Sequence, residues 1–169
     1  MNPEQAFEKL CADQNHKDRE SLERIISKDA EYSCLYAEQA IEGRFILGED
    51  AISKDAFFSY EYACVVIGGR FHLGEAVICK DAWESYHYAK NVIGGRFELG
   101  EAAISEDAEY SYLYARNVIK GRLPNVMHNK MIAFGIMDSS DKYVKKYLGS
   151  KKYCTLKRKD TKNDSRNSA

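Results

Sequence analysis

The strongest constraint on this chain is a repeat of constant length that fills most of it. An arginine that follows a glycine recurs at Arg44, Arg70, Arg96 and Arg122, with a spacing of 26 residues each time. Residues 55–75, DAFFSYEYACVVIGGRFHLGE, show the shared pattern in the second copy. Fixed periods of roughly 20–50 residues are typical of repeat proteins, in which each copy is one supersecondary unit. The repeat therefore indicates an architecture before it indicates a function.

Each copy is predicted to contain a short helix, a long helix and an ordered link. A glutamate favours the start of the short helix, and one isoleucine per copy points inward. An aspartate ends the short helix and caps the long one, which a glycine is predicted to end in the left-handed conformation. The link, for example GRFHLGE, is expected to tuck its Phe and Leu beneath the helices. These positions are Glu23, Glu49, Glu75 and Glu101; Ile26, Ile52, Ile78 and Ile104; Asp29, Asp55, Asp81 and Asp107; and Gly43, Gly69, Gly95 and Gly121.

The predicted fold is all-α, an α-solenoid of four 26-residue short-helix/long-helix repeats with helical caps at both ends. Residues 1–22 are assigned to an N-terminal capping helix, 23–126 to the four repeats and 127–150 to a C-terminal cap. Residues 151–169 are basic, polar and aperiodic, so we expect a partly disordered tail.

Charge is divided along the chain although the net charge is only −1. Residues 1–23 carry −3, residues 24–123 carry −5 and residues 124–169 carry +7. A polar N-terminus and the lack of a run of about 18 apolar residues predict a cytoplasmic protein without a membrane segment. The five cysteines are scattered without C-x-x-C spacing, which favours packing thiols over a disulfide or metal framework.

The four long helices differ mainly along one face. In the second copy, Phe57, Glu61, Cys64 and Gly68 fall at i, i+4, i+7 and i+11, on a face that repeat packing does not need. We call this face the variable stripe. Two aromatics stand where the outer copies have glutamate, which predicts a protein-binding surface, the alternative being that they cover a gap beneath a loop or cap. The predicted partner-binding residues are Phe57, Glu61, Trp83, His87, Lys90 and Arg116.

The repeat arginines and the basic tail are candidates for anion binding. A ladder of arginines could bind phosphate groups, but each could instead pair with a neighbouring acid such as Glu49 or Asp55, and we favour pairing because every copy but the last supplies an acid. The repeated tyrosines could stack on RNA bases, but their helical spacing favours core packing. The candidate anion-binding residues are Arg44, Arg70, Arg96, Arg122, Lys151, Lys152, Lys157, Arg158 and Lys159.

The repeat resembles a tandem two-helix repeat found in uncharacterised proteins of tailed bacteriophages and related viral sequences. The shared pattern is D-x-x-x-x-Y-x-Y-A-x-x-V-I-x-G-R-[FW]-x-x-x-E, it is closest in DAEYSYLYARNVIKGR, and it covers about residues 23–126. This chain has GRF and KDA where many relatives have GRW-P and KDP. The resemblance implies an α-solenoid and a viral origin, and it implies no activity.

No residue constellation in the sequence specifies a reaction. There is no P-loop, dinucleotide-binding glycine motif or nucleophile elbow, and the four histidines lack the spacing of metal ligands. We therefore expect a non-enzymatic protein without cofactor or metal. It would bind a protein partner, in a viral setting a host or defence factor in the host cytoplasm that it modulates or inhibits. The alternatives are nucleic-acid binding through the basic tail and an acidic DNA mimic that inhibits a nucleic-acid enzyme.

Overall fold

The structure is a computed structural model, and it describes residues 1–138 and 140–154. Within these residues the regular secondary structure is entirely helical, which confirms the all-α prediction. The helices are α1 (Pro3–Ala12), α2 (Arg19–Ile26), α3 (Ala30–Tyr36), α4 (Glu49–Ile52), α5 (Ala56–Glu61), α6 (Glu75–Ile78), α7 (Ala82–His87), α8 (Glu101–Ile104), α9 (Ala108–Tyr114), α10 (Asn125–Met137), α11 (Lys142–Leu148) and α12 (Lys151–Cys154).

Short and long helices alternate between α2 and α9. The aspartate before each long helix caps it: the Asp55 carboxylate accepts a hydrogen bond from the Phe58 N–H at 3.0 Å, and the same bond recurs in the other copies. This confirms the predicted N-caps. Each long helix then continues into a π-helical turn, and these turns are Ala37–Ile41, Tyr62–Ile67, Tyr88–Ile93 and Ala115–Ile119.

The long helices end one residue earlier than the sequence predicts. The left-handed residues are Glu42, Gly68, Gly94 and Lys120, with φ between +54° and +66°, so the assignment to Gly43, Gly69, Gly95 and Gly121 is wrong. The wide π turn is the reason, because the left-handed residue donates its N–H to the alanine carbonyl five residues back. The following glycine donates to the same carbonyl, as Gly69 does to Ala63 at 3.1 Å. Two copies therefore hold a residue with a Cβ in this conformation.

The core is built from the same positions in every copy. The short-helix isoleucine and the link phenylalanine are buried as predicted. The link leucines Leu47, Leu73 and Leu99 are instead 52–61% exposed, so their predicted burial is wrong. Phe and Leu are two residues apart in a tight turn, which directs their side chains to different sides. The recurring buried residues are Ile26, Ile52, Ile78 and Ile104; Tyr36, Tyr62, Tyr88 and Tyr114; Ala37, Ala63, Ala89 and Ala115; and Phe45, Phe71 and Phe97.

A glycine in each link allows the link to approach the long helix closely. A Cβ on Gly74 would lie 2.5 Å from the Cβ and Oγ atoms of Ser59, and Gly48 and Gly100 are equally confined. The Ser59 hydroxyl is itself buried and donates to the Ile52 carbonyl at 2.8 Å. The glycine, the serine and the short helix are therefore packed as one unit.

Each long helix contacts the long helix of the next copy. Two of these boundaries are joined by a side-chain hydrogen bond: Asn91 Nδ2 donates to the Tyr60 hydroxyl at 2.8 Å, and Asn117 Nδ2 donates to the Tyr86 hydroxyl at 2.6 Å. At the first boundary a cysteine and a valine, Cys34 and Val65, occupy the tyrosine and asparagine positions. Both members of the polar pair are replaced together, so neither a tyrosine hydroxyl nor an asparagine amide is left without its partner at this boundary.

Additional helices pack on the first and last copies. Helix α1 contacts α2 and α3, and α11 contacts α9 and α10. The Tyr147 hydroxyl accepts a hydrogen bond from the Leu123 N–H at 3.2 Å. One side of α10 is buried through Met127 and Met131, whereas Ile136 and Met137 near its end are exposed. In α12, the Tyr153 ring lies parallel to the Tyr147 ring at 6.1 Å.

Candidate partner-binding surface

Three of the four repeat arginines bind the carboxylate of the glutamate five residues on, which opens the next copy. Arg70 donates from Nε and Nη2 to the two carboxylate oxygens of Glu75, at 2.8 and 2.9 Å. Arg44–Glu49 and Arg96–Glu101 have the same two-bond geometry, which is the strong form of this interaction. Burial opposes ionisation of Glu75, but hydrogen bonds from Arg70 and Tyr88 outweigh it, so the pKa of Glu75 is lowered. The donor edges of these arginines are therefore occupied by the protein itself.

A buried tyrosine completes each pair. The Tyr88 hydroxyl donates to Glu75 Oε1 at 2.9 Å and accepts from the Phe71 N–H at 2.9 Å. We call the set Arg70, Glu75, Tyr88 and Phe71, with its counterparts in the other copies, the repeat hub. Burial raises the pKa of these tyrosines, which keeps their hydroxyls protonated and able to donate. Their rings are core residues and are not exposed for stacking on bases. The counterparts are Arg44, Glu49, Tyr62 and Phe45, and Arg96, Glu101, Tyr114 and Phe97.

Arg122 differs from the other three. Its Nη1 donates to Asn125 Oδ1 at 2.7 Å, and its Nε is buried and has no hydrogen-bond partner among the described residues. The position five residues on, which is glutamate in the other copies, is Met127. Of the predicted arginine ladder, Arg122 alone lacks the neighbouring acid.

The variable stripe lies at the surface, and its two aromatic residues differ in their surroundings. Phe57 is 48% exposed and contacts Phe58 edge-on, with ring centroids 5.2 Å apart. Trp83 is half-buried: it stacks on His87 at 4.1 Å and meets the Tyr60 ring of the preceding copy edge-on at 5.5 Å. Trp83 therefore covers part of a copy boundary as well as facing outward, whereas Phe57 faces mainly solvent.

The remaining stripe residues surround these rings. The His87 ring is oriented by a 2.8 Å hydrogen bond between its Nδ1 and the Trp83 carbonyl oxygen. Lys90 is exposed, with its Nζ 5.8 Å from the centroid of the Tyr86 ring. Glu61 is half-buried and Arg116 is exposed. The stripe thus presents aromatic surface with charges of both signs at its margins.

Glu84, beside this stripe, has a shifted pKa, and the sequence motifs do not single it out. Burial and a hydrogen bond with the carboxylate of Asp81 raise the pKa of Glu84 to about 7. The other copies carry an aromatic residue here: Tyr32, Phe58 and Tyr110. A carboxyl group at an aromatic position is the signal that comparison of the copies could have found. It places a titratable group next to Trp83 in the chain.

The cysteines and histidines of the described chain form no reactive cluster. Burial raises the pKa of Cys34 to about 12, so its thiol stays protonated. The His128 ring is buried, and its Nδ1 lies 2.7 Å from the Tyr147 hydroxyl. No group of three or more His, Cys, Asp or Glu residues in residues 1–138 and 140–154 is placed to hold a metal ion.

The basic tail is described only at its start. Lys151 and Lys152 are exposed on α12, whereas Lys157, Arg158 and Lys159 lie outside the described residues.

None of the described helices has the length and apolar character needed to cross a membrane. Comparison with known protein families, curated proteins and solved structures finds no match to this chain. Its function is therefore inferred from the geometry of the chain itself.

Proposed function

We propose that the chain is a non-enzymatic α-solenoid that binds a protein partner through its variable stripe. The solenoid is supported by hydrogen bonds that recur every 26 residues and by the contact of each long helix with the next. In this proposal α1 and α10–α11 are the helical caps. Solenoids commonly bind partners on an extended surface made by equivalent positions of successive repeats.

The exposure of Phe57 carries the proposal. This ring stands on a surface position where the outer copies have Glu31 and Glu109, so helix packing does not require an aromatic there. Trp83 holds the same position in the next copy, which places two large aromatics on neighbouring helices. Interfaces concentrate binding energy in a few such residues, with aromatic anchors among the most frequent.

The chemistry of the stripe also fits a protein partner better than a small substrate. Its charges, from Glu61, Lys90 and Arg116, lie around the aromatic positions, as in interfaces with an apolar centre and a polar rim. The resemblance of the repeat to bacteriophage proteins is the reason to propose a host or defence factor as the partner. We propose that binding modulates or inhibits that factor.

The test is affinity capture from bacterial lysate followed by binding of the purified partner. Phe57→Glu introduces the residue found at the same position in the outer copies, so we expect normal melting and loss of binding. Leu73→Glu is the matched control: Leu73 is 61% exposed, but it lies in a link away from the stripe. Trp83→Glu is expected to reduce both binding and stability, because Trp83 also covers Tyr60.

Two outcomes separate the proposal from its alternatives. Binding by Leu73→Glu but not by Phe57→Glu supports the stripe. Equal binding by wild type, Phe57→Glu and Trp83→Glu, all folded, would place the interface elsewhere.

Nucleic-acid binding is the second candidate, because exposed lysines extend from α11 into α12. Deleting residues 155–169 separates the helical lysines from the tail. If nucleic acid is the partner, the truncated protein should bind more weakly and with a shallower salt dependence. It makes fewer phosphate contacts, so its binding releases fewer counterions. The helical lysines are Lys142, Lys145, Lys146, Lys151 and Lys152.

A further inference from the structure

Arg122 is the member of the arginine series whose carboxylate is missing. In the first three copies the Nε and Nη2 atoms of the arginine grip both oxygens of a glutamate. In three copies, therefore, the arginine at this position of the repeat binds a carboxylate. In the fourth copy Met127 occupies the glutamate position, and no described residue accepts a hydrogen bond from the buried Nε of Arg122.

An unpaired buried donor on a charged group requires an explanation, because buried polar groups in folded proteins are almost always hydrogen-bonded, to protein, water or an ion. The groups nearby do not supply one. Asn125 Oδ1 takes a hydrogen bond from Nη1, on the other edge of the guanidinium group. His128 follows Met127, and burial and the charge of Arg122 lower its pKa, which favours the neutral ring.

The surroundings of Arg122 are open and suited to an anion. A cleft of about 380 Å³ is lined by Arg96, Ile119, Arg122, Leu123, Pro124 and Asn125. Arg96 is already balanced by Glu101 and by Glu98 at 3.3 Å, so the uncompensated positive charge in the cleft is that of Arg122.

The first turn of α10 lies at the same cleft. This helix has 13 residues and begins at Asn125, directly after Pro124, and no side chain in the described part of the chain caps its N-terminus. The first N–H groups of a helix lack partners within the helix and attract negative charge. Arg122 and the first residue of α10 thus both line the cleft.

We propose that the cleft between Arg122 and the N-terminus of α10 binds an oxyanion, a carboxylate or phosphate group, in place of the glutamate that the other copies supply. This site is independent of the variable stripe. The oxyanion would accept hydrogen bonds from the solvent-facing part of the guanidinium group and from the free N–H groups at the start of α10, and it would balance the charge of Arg122, whose Nε is itself shielded from the cleft.

The test is a titration of the ¹⁵N-labelled full chain with sodium phosphate and, separately, sodium acetate at constant ionic strength. We expect saturable shifts of the backbone amides of Asn125, Val126 and Met127. Arg122→Gln should weaken the apparent affinity about tenfold or more, because it removes a charge-assisted hydrogen bond. Arg24→Gln, which removes an exposed arginine on α2, should leave the affinity unchanged.

A second variant keeps the test decisive if Arg122→Gln folds poorly. Asn125 is exposed and already contacts Arg122, so Asn125→Asp places a carboxylate at that group and at a helix start, where it is favourable. This variant should melt higher in anion-free buffer and lose the phosphate-dependent shifts. Saturation by phosphate alone identifies a phosphate ligand, and saturation by both probes identifies any small oxyanion. Shifts that do not saturate, or that persist equally in Arg122→Gln and Asn125→Asp, overturn the site.

Discussion

The left-handed residue at the end of each long helix gives a test of the fold with a control one residue away. Gly94 has φ +66° and open space where a Cβ would lie, so Gly94→Ala adds conformational strain without a clash. Its neighbour Gly95 also has open space but lies outside the left-handed region. The two substitutions add the same methyl group in adjacent positions, and only the first should be costly.

The magnitude follows from the backbone conformation. A residue with a Cβ pays roughly 1–2 kcal/mol in the left-handed region. Replacing glycine also stabilises the folded protein by roughly 0.4–1 kcal/mol, because it restricts the unfolded chain. Gly94→Ala should therefore lower the free energy of unfolding by about 1 kcal/mol, whereas Gly95→Ala has only the unfolded-chain effect and should raise it by about 0.4–1 kcal/mol. Lys120→Gly reverses the first change in the last copy, where Lys120 has φ +54°, and should stabilise the protein.

Melting followed by circular dichroism measures these differences. For a chain of this size 1 kcal/mol corresponds to a shift of about 2–4 °C. We expect Gly94→Ala to melt lower than wild type, Gly95→Ala to melt slightly higher and Lys120→Gly to melt higher. Equal losses for Gly94→Ala and Gly95→Ala, or a larger loss for Gly95→Ala, would refute the position of the left-handed residue and the π turn before it.

Three further predictions address the core and the charged groups. Gly74→Ala places a methyl group against Ser59 and should cost about 1–3 kcal/mol through overpacking, measured by chemical denaturation. Tyr88→Phe leaves the buried Phe71 N–H without its acceptor and should cost about 1–3 kcal/mol in the same assay. Glu84 has a pKa raised from 4.5 to about 7 in the folded protein, so wild type should lose stability as the pH rises between these values. Glu84→Gln cannot ionise and should gain melting temperature relative to wild type over that interval, and parallel curves would contradict the burial of this carboxyl group.

Much of the local structure follows from the sequence because identical residues recur in identical roles. The aspartate caps, the inward isoleucines and the alternation of short and long helices depend on local chemistry that each copy repeats. The π turn does not follow in this way, since its wide hydrogen bonds depend on how the last turn packs. For that reason the sequence pattern predicts the left-handed position one residue too late, at Gly95 instead of Gly94.

The surface is less predictable than the core. Helical spacing locates the variable stripe, and the exposure of Phe57 agrees with it. Spacing alone does not show that Trp83 leans onto Tyr60, because that contact depends on the distance between copies. Spacing also does not show that the pKa of Glu84 is raised, because this shift depends on burial as well as on the local contact with Asp81.

The repeat hub has a consequence for how such a chain can change its length. All four members of one hub, from Arg70 to Tyr88, lie within a single 26-residue span, so loss or duplication of one whole span cuts none of their bonds. The tyrosine–asparagine pair instead joins the long helices of successive copies by a side-chain hydrogen bond. Removing the third copy would bring Tyr60 to Asn117 and restore a matched pair, whereas removing the second would set Cys34 against Asn91. Recombination within the array is thus permitted at the later boundaries and penalised at the first.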